Sequence, residues 1–294
     1  MTSRDRRAFL KLAGAGGVAF LARASRAEET AVVPRGTLHL ALLSDTHVPA
    51  DRVSGHRGMN PWENARVAAA QVAAARPDGV LVCGDVARLQ GREEDYQELK
   101  ALLSPVVAVA PLYFALGNHD DRASFRRVFA DVSGRSAPVD GKHVTLVEHE
   151  AVRVAVLDSL LYVNQVAGLL GKGQREWLAA WLPTVADRPL VLFVHHPPTD
   201  EDGDLLDGDR LLEILRVNRH VKALFHGHAH VWRMGRRDGL HVVGLPALGY
   251  NFDDAQPVGW VDARLRADGA SLILRAVAGN RAEDGKTTVL EWEG

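Results

Sequence analysis

His226-Gly227-His228-Ala229-His230 packs three imidazoles into five residues, and four other short segments carry related donors. They are Asp45-Thr46-His47, Gly84-Asp85, Gly117-Asn118-His119-Asp120 and His195-His196-Pro197. Carboxylate oxygens, imidazole nitrogens and an amide oxygen are hard-to-borderline donors, the kind that iron, manganese or zinc accepts. Gathered at one place they would suit two such ions. A two-metal site lowers the pKa of a shared water and clamps phosphoryl oxygens for in-line displacement. No serine or cysteine nucleophile is then needed.

The elements that must position these donors are short apolar runs at 38–43, 80–83, 112–116, 190–194 and 223–225, one before each segment. Apolar on both faces, with helical patterns between several of them, they suggest a parallel sheet covered on both sides. In open α/β sheets the site lies outside the carboxyl ends of the strands, and all five segments fall there. Asp45 and His47, two apart on an extended segment, would project the same way. Alternating runs at 240–244, 258–264 and 270–276 suggest a second, more antiparallel sheet packed on the first. A capped helix begins at Asn60-Pro61-Trp62-Glu63, where Asn60 can cap, Pro61 suits the first turn and Glu63 can close a capping box. Further helical patterns run over 93–103, 121–129, 174–182 and 211–217, and a hairpin pair over 144–147 and 152–157.

At 294 residues, with 47% hydrophobic and 24% charged residues, the chain is ordinary globular material. Donors spread from Asp45 to His230 must converge, so residues 28–294 read as one domain. The single cysteine, Cys83, excludes an intrachain disulfide framework. Residues 1–27 stand apart. Arg6-Arg7-Ala8-Phe9-Leu10-Lys11, a weakly apolar stretch and small residues before Glu28 resemble a twin-arginine export signal. That resemblance implies the twin-arginine machinery as a partner, a periplasmic or extracellular mature protein, and no stable membrane anchor after cleavage. The segment carries six basic residues and one acidic. Its removal leaves 29 basic and 36 acidic residues, a net charge of −7 with histidine neutral. Such a surface disfavours a nucleic-acid partner, whose binding needs many Lys and Arg contacts, and leaves small phosphate esters as substrates.

Taken in order, the D-x-H, G-D, G-N-H-D, H and G-H-x-H segments resemble the calcineurin-like metallophosphoesterase superfamily. The resemblance implies an α/β fold of two packed mixed sheets flanked by helices, a four-layer αββα arrangement. Carried over position by position, it places Asp45, His47, Asp85 and His230 on one metal. Asp85, Asn118, His195 and His228 would hold the other, with Asp85 bridging. It implies two transition metal ions (iron, manganese or zinc) and in-line attack by a hydroxide formed at them. His119 matches the family's catalytic histidine, which faces the substrate. His195 rather than His196 matches the ligand, because it stands two before Pro197. One departure concerns Arg88, which occupies the place where many members have an acid oriented towards the catalytic histidine. Either Asp120 or Asp121 would then take that role or His119 is tuned differently, and Arg88 becomes a candidate for substrate phosphate. Among members, the segments most resemble bacterial class III cyclic-nucleotide phosphodiesterases, which makes a small cyclic-nucleotide-like or glycerophosphodiester-like diester the expected substrate. Export favours an alternative, a periplasmic phosphomonoesterase or nucleotide scavenger. A non-catalytic metal-binding scaffold is the remaining reading, disfavoured because every ligand position is filled.

Overall fold

A computed structural model describes residues 36–293, so the segment at 1–27 that resembles an export signal lies outside the described residues. In chain order the strands are β1 (Leu38–Leu43), β2 (Gly79–Cys83), β3 (Leu112–Ala115), β4 (Arg135–Ser136), β5 (Thr145–Glu148), β6 (Arg153–Val156), β7 (Leu190–Phe193), β8 (Val221–His226), β9 (Arg233–Arg237), β10 (Leu240–Gly244), β11 (Pro257–Leu265), β12 (Gly269–Gly279) and β13 (Thr287–Glu291). The helices are α1 (Pro61–Ala75), α2 (Glu93–Leu102), α3 (Ser104–Val107), α4 (Arg122–Val128), α5 (Gly171–Trp181) and α6 (Gly208–Val217). One sheet runs β13-β12-β11-β1-β2-β3 and the other β4-β5-β6-β7-β8-β10-β9. Both are mixed: β1, β2 and β3 are parallel, as are β6, β7, β8 and β10, while the outer strands pair antiparallel.

Side-chain alternation along β1 explains the layering. Leu38, Leu40 and Leu42 point between the sheets, where they meet Val154, Val191, Phe193 and Phe225. Ala41 and Leu43 point outward to a core shared with Ala65, Ala68 and Val72 of α1, Tyr96 and Leu99 of α2 and Phe125 of α4. On the far side of the second sheet, Ala155, Leu190 and Leu192 pack against Leu178 of α5 and Leu211 and Leu215 of α6. Four layers result, helices outside and two sheets within. Among the described residues no helix is long and apolar enough to cross a membrane.

The structure corrects the sequence reading of strand pairing and of the start of α1. The donor-bearing strands do not share one sheet: β1, β2 and β3 belong to the first, β7 and β8 to the second. The late strands do not form a sheet of their own either, since β11 and β12 extend the first while β10 joins β8. Hydrophobic runs mark strands, but pairing partners are set by long-range register. At α1, Asn60 caps as expected, accepting from the Glu63 backbone N–H at 3.0 Å. Glu63 does not close a capping box; its carboxylate pairs with Arg66 instead.

Candidate metal centre

The donors sit on the loops that leave β1, β2, β3, β7 and β8, so the centre lies where the carboxyl ends of both sheets' parallel strands face each other. Five of these residues have left-handed backbone: Asp45 (φ 50°), His47 (44°), Asp85 (48°), His228 (64°) and His230 (54°). Each costs on the order of 1 kcal/mol, and such strain gathers at functional sites. Asp45 and His47 therefore converge through two tight bends rather than along an extended strand, as the sequence spacing suggested. Gly227 is required by close approach. A Cβ there would lie 2.5 Å from Asp45 Oδ2.

Three histidines are held by one device. His47 Nδ1 donates to the Arg88 carbonyl (3.1 Å), His195 Nδ1 to that of Cys83 (2.8 Å) and His230 Nδ1 to that of Tyr250 (2.6 Å). The bond at Nδ1 turns each Nε2 inward, as in metal-ligating histidines held by outer partners. His47 Nε2 lies 3.3 Å from His230 Nε2 and 3.6 Å from Asp85 Oδ2. His195 Nε2 is 3.4 Å from Asp85 Oδ2 and 3.9 Å from Asp45 Oδ1, and His230 Nε2 is 3.3 Å from Asp45 Oδ1. Asp85 Oδ2 is thus close to both His47 and His195. His228 packs beside His196, tilted at 44°, and edge-on to His195, with ring centroids 4.6 and 5.3 Å away. His196 is near enough to be a donor, but both its ring nitrogens are engaged, Nδ1 with Ser159 Oγ (2.7 Å) and Nε2 with the Val166 carbonyl (3.0 Å).

Electrostatics show what this cluster lacks. Asp45 and Asp85 are buried, and among the described residues neither pairs with a lysine or arginine. Buried carboxylates without a cation are costly. Burial lowers the His47 pKa to about 3 and that of His228 to about 4, which keeps both neutral and able to donate a lone pair. At His195 burial also disfavours the cation, yet the carboxylates of Asp85 and Asp45 outweigh it and lift the pKa to about 10. Without another positive charge, His195 must supply one. Asn118 Oδ1 and His195 Nε2 are buried with no hydrogen-bond partner. The stranded amide oxygen of Asn118, the two buried carboxylates without a lysine or arginine, and the inward Nε2 atoms fit a pair of cations, which would take the place of the His195 proton. Asp45, His47 and His230 offer donor atoms within 4.8 Å of one another, and so do Asp45, Asp85 and His195.

His119 borders a cleft of about 220 Å³ lined also by His47, Asp85, Asn118, His228, His230, Val166, Tyr250 and Phe252. Neither acid expected to orient it does so. Asp120 is buried and accepts from the backbone N–H groups of Val86, Ala87 and Gly117 and from Tyr96 Oη. Asp121 caps α4 by accepting from Ser124 N at 2.8 Å. His119 Nδ1 meets the Leu89 carbonyl and Asn164 Oδ1 instead, each at 2.9 Å. The Arg88 guanidinium does not line this cleft; it lies 5.7 Å from the Tyr250 ring and borders the neighbouring groove with Pro49 and Asp51. The acidic stretch after His196 reaches the rim: a Cβ on Gly203 would sit 3.9 Å from His228 Nε2. Asp207 within that stretch is structural, accepting from Leu170 N and Gly171 N at 3.0 Å. Asn164, Val166, Tyr250 and Phe252 were invisible in the sequence because no motif or spacing ties them to the donors.

A cleft floored by carboxylates and inward imidazoles, at the joined ends of two sheets, defines a metal-dependent phosphoesterase. The chain belongs to the calcineurin-like phosphoesterase family, whose model matches residues 38–232. The family works with a binuclear metal centre. A probable cyclic nucleotide phosphodiesterase of Rhodococcus erythropolis is 32% identical over 257 residues, covering 83% of this chain and 82% of that protein. A glycerophosphodiester phosphodiesterase of Enterobacter lignolyticus is 29% identical, covering 74% of this chain and 81% of its own. Among solved structures, a dimetal phosphatase from Danio rerio shares the fold with a TM-score of 0.69 at 16% identity, over 88% of this chain and 100% of that one.

Proposed function

We propose that the protein hydrolyses a small phosphodiester, cyclic-nucleotide-like or glycerophosphodiester-like, at a pair of iron, manganese or zinc ions. The observation that carries the reading is Asp85. Its Oδ2 is near an inward nitrogen from each of the two proposed ligand sets, His47 Nε2 (3.6 Å) and His195 Nε2 (3.4 Å), which supports a carboxylate shared by two cations. Asp45, His47, Asp85 and His230 would hold one ion, and Asp85, Asn118, His195 and His228 the other. Bound there, the ions supply the Lewis acidity that activates water and neutralises phosphoryl oxygens. The amide of Asn118 adds an oxygen without charge, which keeps its ion electrophilic. The carbonyls of Arg88, Cys83 and Tyr250 keep three imidazoles in the tautomer that presents Nε2. His119, half-buried at the mouth, presents Nε2 to the leaving oxygen, which it stabilises or protonates. The guanidinium of Arg88 lies 5.7 Å from the Tyr250 ring at the wall of the cleft, with Nη1 buried and without a hydrogen-bond partner among the described residues, and stays the candidate for a substrate phosphate. Diester substrates are favoured by the activities named for the two relatives. Residues 1–27 direct export by the twin-arginine route and are removed, leaving a periplasmic or extracellular enzyme.

The test is the metal-reconstituted mature protein assayed against cyclic nucleotides, glycerophosphodiesters, phosphomonoesters and nucleotides. Diesters should be turned over fastest, with activity lost on chelation and regained with manganese, zinc or iron. Preference for monoesters would assign the scavenging role instead.

A further inference from the structure

We infer that Asn164 is the positioning residue of His119, supplied by the other sheet's loop in place of a carboxylate. This rests on the reading of His119 as the group that faces the leaving oxygen. The Leu89 carbonyl 2.9 Å from His119 Nδ1 can only accept, so Nδ1 carries the hydrogen. Asn164 must then present its oxygen, and Oδ1 lies 2.9 Å from the same nitrogen. One N–H shared between two acceptors fixes the ring plane and turns Nε2 to the cleft. Because both partners only accept, the same bonds hold the doubly protonated ring whose Nε2–H passes to the leaving oxygen. An amide does this without charge. It orients the imidazole where an acid would also stabilise the imidazolium, which accounts for a working site with Arg88 at the usual acid's place.

Asn164 is itself held. Its backbone N–H donates to the Asn118 carbonyl at 2.7 Å, so one residue ties down both His119 and its neighbour. Its φ of 61° is left-handed, a conformation asparagine tolerates better than most residues. The loop carrying it leaves β6 and is fastened at both feet. Arg122 of α4 grips Asp158 at 2.7 and 2.8 Å, and Gly168 pairs with the 204–206 segment through bonds of 3.0 and 2.9 Å. Between these feet Leu160 is buried in the core shared with α4, while Tyr162 and Val166 on either side of Asn164 stay exposed. The loop's inward contacts at the site are those of Asn164 with Asn118 and His119 and that of the Val166 carbonyl with His196 Nε2.

The experiment is a double-mutant cycle on the metal-loaded enzyme: wild type, Asn164→Gly, His119→Ala and the double variant. Glycine keeps the positive φ and the backbone N–H to Asn118, so only the side-chain oxygen is lost. Turnover is measured with an alkyl phosphodiester and with a nitrophenyl diester, alongside bound metal. Asn164→Gly should lower kcat for the alkyl ester roughly 10-fold, the lower end for an outer-shell partner. Bound metal and KM should stay unchanged, and the loss should be smaller for the nitrophenyl ester. In the His119→Ala background Asn164→Gly should cost nothing more. An impaired His119→Ala enzyme in which the glycine change still costs its full factor would overturn the positioning role while leaving His119 catalytic. Unchanged turnover in Asn164→Gly would do the same. Full activity of His119→Ala would remove the reading beneath it, and the positioning role with it.

Discussion

Gly117→Ala places one methyl group at the meeting point of the two sheets' donors. A Cβ at Gly117 would lie 2.5 Å from Asp85 N and 2.6 Å from His195 Nε2, and closer still to Asp85 Oδ1. Ordinary carbon contacts begin near 3.4 Å, so something must move by about 1 Å. The backbone cannot easily retreat, because Gly117 N is held by Asp120 Oδ2 at 2.9 Å and Asp120 is anchored by Val86, Ala87 and Tyr96. His195 is equally fixed through Nδ1 on the Cys83 carbonyl. The displacement therefore falls on the Asp85 carboxylate and the His195 ring, the groups proposed to share a metal. Overpacking of this kind costs about 1–3 kcal/mol of stability. The catalytic cost is larger, since a misplacement of about 1 Å in a preorganised site can lose 10²-fold in rate. Bound metal is measured by mass spectrometry and turnover with a nitrophenyl diester at saturating metal. The expected result is a folded protein with about one metal per chain and at least a 10²-fold loss. Gly173→Ala is the control: it lies in α5 with no atom within 4 Å of its Cβ, and should leave activity intact while stabilising the helix by up to about 1 kcal/mol. Two tightly bound metals and wild-type turnover in Gly117→Ala would refute the reasoning.

Asp85→Asn should abolish turnover and weaken both metals, because an amide offers a dipole where two cations need a shared charge; metal titration of the variant checks it, and near-normal occupancy with near-normal rate would contradict it. Asp207→Ala should lower stability by about 2–4 kcal/mol without touching metal content. It strands the Leu170 and Gly171 N–H groups (3.0 Å each) and the Arg175 guanidinium (2.8 Å), and denaturant unfolding followed by fluorescence reads the loss. Replacing Arg6 and Arg7 by lysine should leave precursor in the cytoplasm, seen by fractionation; normal export would rule out the twin-arginine route.

Local chemistry was legible in the chain itself. β1 occupies the apolar run from Leu38 to Leu43, Asn60 caps α1, Asp121 begins α4, and each donor segment follows its strand. These outcomes depend on neighbours a few residues apart: hydrophobic runs, a side-chain oxygen near free N–H groups, proline at a first turn. The choice between His195 and His196 needed the family's spacing, and the bonds of His196 to Ser159 and Val166 then supplied the physical reason. What only the tertiary structure decided was pairing at long range. It split the donor strands between two sheets, turned Asp120 from an expected orienting acid into an acceptor for Val86, Ala87, Gly117 and Tyr96, and brought Asn164 to His119 across 45 positions of sequence. A carboxylate or an amide looks the same in sequence whether it meets a backbone N–H, a metal or an imidazole. Its role is set by what the packing of two sheets leaves within about 3 Å of it.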